Sequence, residues 1–255
     1  MNKAIRVHRT GPASVLKWED VTITSPKPGE AIIRNTAIGL NFIDTYHRKG
    51  LYPLPTPFTP GVEGAGVIEA LGTNVEGLKI GDRVTYCSDP IGSYSEKRCF
   101  PADRLIKIPR GITDEQAASM MLKGLTAAML LKRIYVPKPS DTILVHAAAG
   151  GVGLILCQWA KYLGANIIGT VSSRKKAALA RANGCDKTII YSESNFVDRV
   201  LRYTKGEGVP VVYDGVGKDT YPGSLDCLSM RGIWITYGNA SGPVPPIAPL
   251  TLLQK

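Results

Sequence analysis

Ala148, Gly150 and Gly153 occupy the three small positions of a G-x-G-x-x-G spacing, with alanine replacing the first glycine. Side chains this small let a backbone come close to a pyrophosphate. A helix starting there would turn unpaired N–H groups and a positive dipole end towards the phosphates. The spacing alone means little, because glycines are common in strand-to-helix turns for steric reasons. Here the flanks fit. An apolar run over 142–147 leads into the small residues, and 154–163 reads as a helix closed by Gly164. Strand, tight turn and helix together predict a dinucleotide-binding turn over residues 148–153.

A second strand, over 166–171, is followed by Ser172-Ser173-Arg174-Lys175-Lys176, and no acidic residue occurs between Gly164 and Asp186. A site for NAD usually sets an Asp or Glu on the ribose 2′-hydroxyl at this point. Hydroxyls and cations in its place suit a 2′-phosphate. A solvated basic helix start is the alternative reading. It leaves three cations opposing the helix dipole, a conflict that a bound anion would relieve. NADPH is therefore the expected cofactor, with Lys176, Ser172 and then Arg174 as contacts. Further on, 211–217 and 235–242 also end strands in small residues, so Gly217 and the run Tyr237-Gly238-Asn239-Ala240-Ser241 can line the same cleft or form ordinary turns.

These residues sit in a chain of two textures. At 255 residues, 44% hydrophobic and 20% charged, it has the composition of a folded globular protein with room for two domains. Up to about residue 110, short alternating runs at 4–7, 30–34, 66–70 and 82–86 are punctuated by Gly and Pro, which predicts an antiparallel, partly open β-barrel. Thr113 and Gln116 form a capping-box pair, predicting a helix towards Arg133 that breaks at Gly124. Strands at 142–147, 166–171, 187–190, 209–214 and 232–237 then alternate with helices, the pattern of a doubly wound parallel sheet. The expected domains are 1–124 and 125–255.

The net charge of +10 divides unevenly: 16 Lys and Arg against 13 Asp and Glu over 1–124, and 15 against 8 over 125–255. Positive potential thus concentrates where the phosphate turn lies. Nucleic acid would use the same field, but no RNA-recognition motif, Arg-Gly tract or aromatic-interleaved basic run is present. No apolar run approaches the length that crosses a bilayer, and residues 1–8 alternate like a strand, so no membrane association and a cytoplasmic protein are expected. Five cysteines, with no C-x-x-C, suggest free thiols.

Gly61-Val62-Glu63-Gly64-Ala65-Gly66, Gly81-Asp82-Arg83-Val84, Lys123-Gly124-Leu125-Thr126-Ala127 and 147–153, in this order, resemble the medium-chain dehydrogenase/reductase superfamily. Within it, Asn41-Phe42-Ile43-Asp44-Thr45-Tyr46 and Tyr237-Gly238-Asn239-Ala240-Ser241-Gly242 resemble the zinc-free NADPH:quinone oxidoreductases related to zeta-crystallin. The resemblance implies a GroES-like catalytic domain, a Rossmann domain and a homodimer. It sets Asn41, Tyr46 and Thr126 near the nicotinamide and substrate, with Tyr52 at the substrate mouth. It sets Gly151 and Val152 at the pyrophosphate, Lys176 and Tyr191 at the 2′-phosphate end, and 237–241 along the cofactor's other flank. For Tyr46 and Tyr52 plain aromatic packing is the alternative.

Where the resembling alcohol dehydrogenases carry zinc-binding Cys and His, this chain has Asn41 and Val62, so no metal is expected. His8, His47 and His146 read as structural or surface residues. Without a Lewis acid, the acceptor has to be electron-poor already, as a quinone is. Activated enones or enals, or RNA binding without turnover, are the alternatives. The resemblance also implies a sixth strand after the five seen here, and a segment returning to the catalytic domain. Their absence leads one to expect an uncovered apolar edge at 232–237, blunted by Pro243, Pro245, Pro246 and Pro249.

Overall fold

A computed structural model describes residues 2–87 and 89–253. The chain divides into two compact units, Met1–Leu122 and Lys123–Lys255.

In the first unit, β1 (Asn2–Val7) and β2 (Leu16–Val21) form an antiparallel pair. Strands β3 (Glu30–Gly39), β4 (Glu63–Leu71), β5 (Arg83–Cys87), β6 (Lys97–Pro101) and β7 (Ile106–Lys107) make an antiparallel sheet in the order β6-β3-β4-β5-β7. Alternation decides the faces: Ala31 and Ile33 are fully buried, whereas Arg34 points out to pair with Glu69. Ile33, Ile68, Val84, Tyr86 and Phe100 fill the barrel interior. Isolated bridges from Ala4 to Ser95 and from Val7 to Phe58 tie β1 to the segments that lead into β6 and β4. Helix α1 (Phe42–Lys49) leaves the end of β3 and stops at Gly50, which takes the left-handed conformation (φ +82°) that ends helices without a Cβ clash.

Helix α2 (Asp114–Met129) starts at the expected capping box, with Thr113 N donating to Gln116 Oε1 (2.9 Å) and Gln116 N to Thr113 Oγ1 (3.2 Å). The break expected at Gly124 does not occur. The helix runs through it and ends in one π-helical turn, Leu130–Ile134. A single helical glycine costs only about 1 kcal/mol, and burial of Ala127, Leu130 and Leu131 in the core holds the helix together beyond it.

The second unit holds a parallel sheet of β8 (Thr142–Val145), β9 (Asn166–Val171), β10 (Lys187–Ile190), β11 (Val209–Asp214) and β12 (Leu228–Thr236), in the order β10-β9-β8-β11-β12. Helices α3 (Gly151–Tyr162), α4 (Arg174–Ala182), α5 (Phe196–Tyr203) and α6 (Tyr221–Asp226) connect the strands. Neighbouring strand residues feed two different cores: Ile143, Ile167 and Val211 join one, and Leu144, Ile168 and Val212 the other. Both faces are therefore covered, as the near-continuous apolar runs require.

Strand β12 starts at Leu228, four residues before the expected 232, because an irregularity opposite Val209 and Val211, with Arg231 at φ +61°, extends the pairing backwards. β12 lies at the edge of the described sheet. Among the described residues no helix is long and apolar enough to cross a membrane. Among the described residues no two of the five cysteines form a disulfide.

Candidate active site

The turn between β8 and α3 is built by close approach. After β8, Ala147 takes a left-handed conformation (φ +50°), Ala148 is fully buried, and Gly150 caps α3. A Cβ on Gly153 would overlap the Ala147 carbonyl oxygen and sit 2.9 Å from Ala148 Cα. One on Gly169, in β9, would lie 2.5 Å from the Ala148 Cβ. Alanine at 148 and glycine at 153 thus bring helix and strand together. The first-turn amides of Gly151, Val152 and Gly153 have no intrahelical acceptor, and the first turn of α3 carries no acidic side chain to compete for a ligand.

A cleft of about 420 Å³ opens at the carboxyl ends of the parallel strands, the place where open α/β sheets bind ligands. Ala147, Ala149 and Gly150 line it from the first turn, Thr170, Val171 and Ser172 from the end of β9, Lys176 from α4, and Tyr191 from beyond β10. The one carboxylate on its lining, Asp219, enters from the turn after β11. Ser172, Lys176 and Tyr191 are therefore brought together around one cavity. Arg174 is not on the lining; it points outward to Glu193 (3.3 Å), an acid from the segment after β10 that local sequence did not pair with it. Exposed pairs of this kind contribute little stability.

The turns after β11 and β12 interlock. Gly217 (φ +91°) bridges to Gly242, and a Cβ on Gly238 would fall 2.6 Å from the Gly215 carbonyl oxygen. Ser241 Oγ donates to Val216 O (2.9 Å) and accepts from Asp219 N (3.0 Å). Gly217, Gly238, Asn239 and Ser241 thus shape one pair of turns, with Tyr237 packed on the core beside them. Thr126 lies in α2, off the cleft lining. Lys123 was not among the expected residues, yet its stem lies over the turn between β8 and α3: a Cβ on Gly151 would come within 2.7 Å of Lys123 Cδ.

A buried network forms the floor of the cleft. Asp214, wholly buried at the end of β11, accepts from Val216 N (2.9 Å), Gly217 N (3.2 Å), Thr220 Oγ1 (2.8 Å), Ser224 Oγ (2.8 Å) and Trp234 Nε1 (3.1 Å). His146, also wholly buried, meets Thr170 Oγ1 through Nδ1 (2.9 Å) and Ser224 Oγ through Nε2 (3.0 Å). Burial pushes the His146 imidazole down to about 4, against a weaker pull from Asp214. The Asp214 carboxyl is held below its ordinary value despite its desolvation, by His146 and by the donors around it. Ser, His and Asp do not form a hydrolytic triad here. The carboxylate takes the serine's proton instead of orienting the histidine, and all three are sealed from solvent.

In the first unit, Asn41 is the buried N-cap of α1. Its backbone N–H donates to Asp44 Oδ2 (2.9 Å) and its amide Nδ2 to Glu63 Oε2 (2.6 Å). Glu63, fully buried at the start of β4, also accepts from Leu122 N (2.9 Å). The only sequence signal for Glu63 was an acid inside a run of small residues. The Tyr46 ring packs edge-on against Tyr52 (5.1 Å) and Phe42 (5.4 Å), with Tyr52 and Phe42 more exposed. Burial raises the Asp44 carboxyl, which accepts from the Tyr94 hydroxyl (2.9 Å), and lowers the His47 imidazole. Among the described residues no three His, Cys, Asp or Glu side chains gather as a metal-binding group.

Residues 27–110 match the family described as alcohol dehydrogenase GroES-like domain, and residues 151–255 the one described as zinc-binding dehydrogenase. The chain is 52% identical over 256 residues to a quinone oxidoreductase of Pseudomonas aeruginosa, covering 100% of this chain and 79% of that protein. It is 47% identical to a 2-haloacrylate reductase of Burkholderia sp, covering 97% and 76%. The crystal structure of Escherichia coli quinone oxidoreductase complexed with NADPH superposes with a TM-score of 0.96 at 45% identity, covering 99% of this chain and 78% of that one. The chain belongs to the quinone oxidoreductase family of the medium-chain dehydrogenase/reductase superfamily.

Proposed function

We propose that this protein is an NADPH-dependent quinone reductase. The observation that carries the reading is the cleft at the carboxyl ends of the parallel strands, where Ser172, Lys176 and Tyr191 converge and the end of β9 brings no carboxylate. That donor set fits a 2′-phosphate: Lys176 supplies the charge, and Ser172 and Tyr191 supply hydroxyls. The amides of Gly151, Val152 and Gly153, at the positive end of α3, fit the pyrophosphate. Lys123, whose stem crosses Gly151, adds a cation to the same turn. Gly217 and residues 237–241 would bound the cofactor's remaining flank, and Thr126 its nicotinamide end.

When bound, the dihydronicotinamide supplies a hydride to an acceptor. The chain's own residues bind and orient that acceptor. Tyr46 and Tyr52 offer aromatic faces to a flat ring. Asn41, its amide oriented by Glu63, and the Tyr46 hydroxyl would stabilise the negative charge that develops on the acceptor oxygen. Asn41 and Val62 provide no tetrahedral N/S donor set for zinc, so an acceptor that is electron-poor by itself is required. A quinone meets that requirement. The kinship with a 2-haloacrylate reductase supports activated α,β-unsaturated substrates as the second reading. A cytoplasmic homodimer belongs to the same proposal; five cysteines without a disulfide among the described residues suit a reducing compartment.

The test is NADPH oxidation by the purified chain with 1,4-benzoquinone and with 2-chloroacrylate. Benzoquinone turning over with the higher kcat/KM supports the first reading. Preference for chloroacrylate supports the second. Turnover of neither, alongside unchanged thermal stability in saturating NADPH, overturns both.

A further inference from the structure

The hydrogen-bond arithmetic of the cleft floor fixes the direction of each proton on the path from Thr170 to Asp214. Asp214 is acceptor only, so the single Ser224 hydroxyl proton goes to it at 2.8 Å. Ser224 Oγ can then only accept from His146 Nε2 at 3.0 Å, which places the ring proton on Nε2. Nδ1 is left with its lone pair, and Thr170 Oγ1 donates into it at 2.9 Å. The chain of donors runs Thr170 to His146 to Ser224 to Asp214, with each hydroxyl and ring proton used once. An imidazolium would bring a second N–H against Thr170 and break that order.

The location gives this order a purpose. All five strands are parallel, but successive strands are added on one side from β8 to β10 and on the other from β11 to β12, so β8 and β11 flank the topological switch point. That seam is short: Leu144 pairs with Val212 and Val145 with Tyr213, whereas β8 and β9 share four such pairs. The side-chain relay extends the seam past the strand ends. His146 continues β8, Thr170 belongs to β9, Asp214 ends β11, and Trp234 of β12 closes the far side. Three of the cleft-lining residues, His146, Thr170 and Thr220, are members of this network. An apolar plug of the same size would fill the space without the desolvation cost of so many polar groups. It would leave the backbone hydrogen bond from His146 N to Tyr213 O (2.9 Å), just past the end of β8, without side-chain support.

We propose that His146 is a positioning residue for cofactor binding: as a neutral Nε2–H tautomer it joins the β9 side of the cleft to the β11 side and presets the loops that receive NADPH. This rests on the reading of the cleft as the NADPH site. It assigns His146 a role beyond the structural or surface one expected from sequence. The ring does not touch the reacting atoms; it acts through Thr170 and Asp214.

The experiment compares wild type, His146→Gln, His146→Phe and Thr170→Val in steady-state kinetics and NADPH fluorescence titration, with histidine ¹⁵N spectra of the wild type. Gln keeps one acceptor and one donor on the same branch, so its KM for NADPH should stay within about threefold of wild type. Phe fills the space but cannot bond, and its KM and Kd for NADPH should rise about tenfold while kcat falls much less. Thr170→Val, a smaller change that guards against misfolding of the Phe variant, should raise KM about threefold to tenfold. The wild-type spectrum should show a buried histidine protonated at Nε2 only. Wild-type NADPH affinity in both His146→Phe and Thr170→Val would overturn the proposal, as would Gln being as damaging as Phe, or a spectrum protonated at Nδ1. Failure of the wild type itself to bind NADPH would instead overturn the reading of the cleft.

Discussion

Two glycine-to-alanine changes should move stability in opposite directions. Gly124 and Gly153 both lie inside helices, so replacing either by alanine gains about 0.5–1 kcal/mol of helix propensity. A Cβ on Gly124 meets no heavy atom within 4 Å, so the gain stands. A Cβ on Gly153 overlaps the Ala147 carbonyl oxygen and reaches to 2.9 Å from Ala148 Cα and C. Those atoms are backbone, and Ala148 is itself pinned against Gly169, so the turn has to move by several tenths of an ångström or more. Overpacking of this kind costs about 1–3 kcal/mol. Net of propensity, Gly153→Ala should lose about 1–2 kcal/mol, lowering Tm by roughly 2–8 °C, while Gly124→Ala raises it by roughly 1–4 °C. Because the displaced backbone is the turn proposed to hold the pyrophosphate, Gly153→Ala should also raise the KM for NADPH about tenfold or more. Thermal melts with and without NADPH read both effects. Shifts of the same sign in the two variants, or Gly153→Ala with unchanged Tm and KM, would refute the close-packing argument.

Lys176→Met should raise the KM for NADPH about tenfold and leave that for NADH within about twofold, with the difference shrinking at high salt; equal effects on both cofactors would count against a 2′-phosphate contact. Glu63 accepts with both oxygens, from Asn41 Nδ2 and from Leu122 N, so Glu63→Gln leaves one of those donors facing an amide NH2 and should cut kcat/KM for benzoquinone about tenfold while NADPH affinity is retained; an unchanged kcat/KM would remove Glu63 from the positioning of Asn41. The His146 imidazole sits at about 4 when folded against 6.5 ordinarily, so the unfolded chain takes up a proton between those values that the folded chain refuses. Its contribution to stability is thus intact above about pH 6.5 and declines as pH falls to about 4, by on the order of 3 kcal/mol. The stability of wild type relative to His146→Gln should decline by about that amount over the same range in denaturant titrations; a pH-independent difference would show that the ring is not held neutral by the fold.

What was legible in the chain was local. The turn after β8, its helix and the cationic start of α4 are each contiguous, alternation marks strands of the first unit and apolar runs mark those of the second, so the sheets and the small residues of the turn were readable from spacing. The helix break at Gly124 was misread because one glycine weakens a helix by less than three buried downstream side chains restore. The start of β12 was misplaced because a bulge has no periodic signature. Side-chain partnerships were hidden for a different reason. Asn41 and Glu63 are 22 residues apart, and His146 and Ser224 are 78 apart. Such pairs exist only once the register of the sheets is set. The same holds for Glu193, which occupies Arg174 from the far side of β10.

The central claim, that the cleft at the end of β9 is built for a 2′-phosphate and serves quinone reduction, is tested most directly by the ratio of kcat/KM for NADPH to that for NADH with 1,4-benzoquinone as acceptor. A charge-assisted contact from Lys176 supported by two hydroxyls predicts a preference for NADPH of at least about tenfold at low salt. Equal use of the two cofactors, or a preference for NADH, would contradict it.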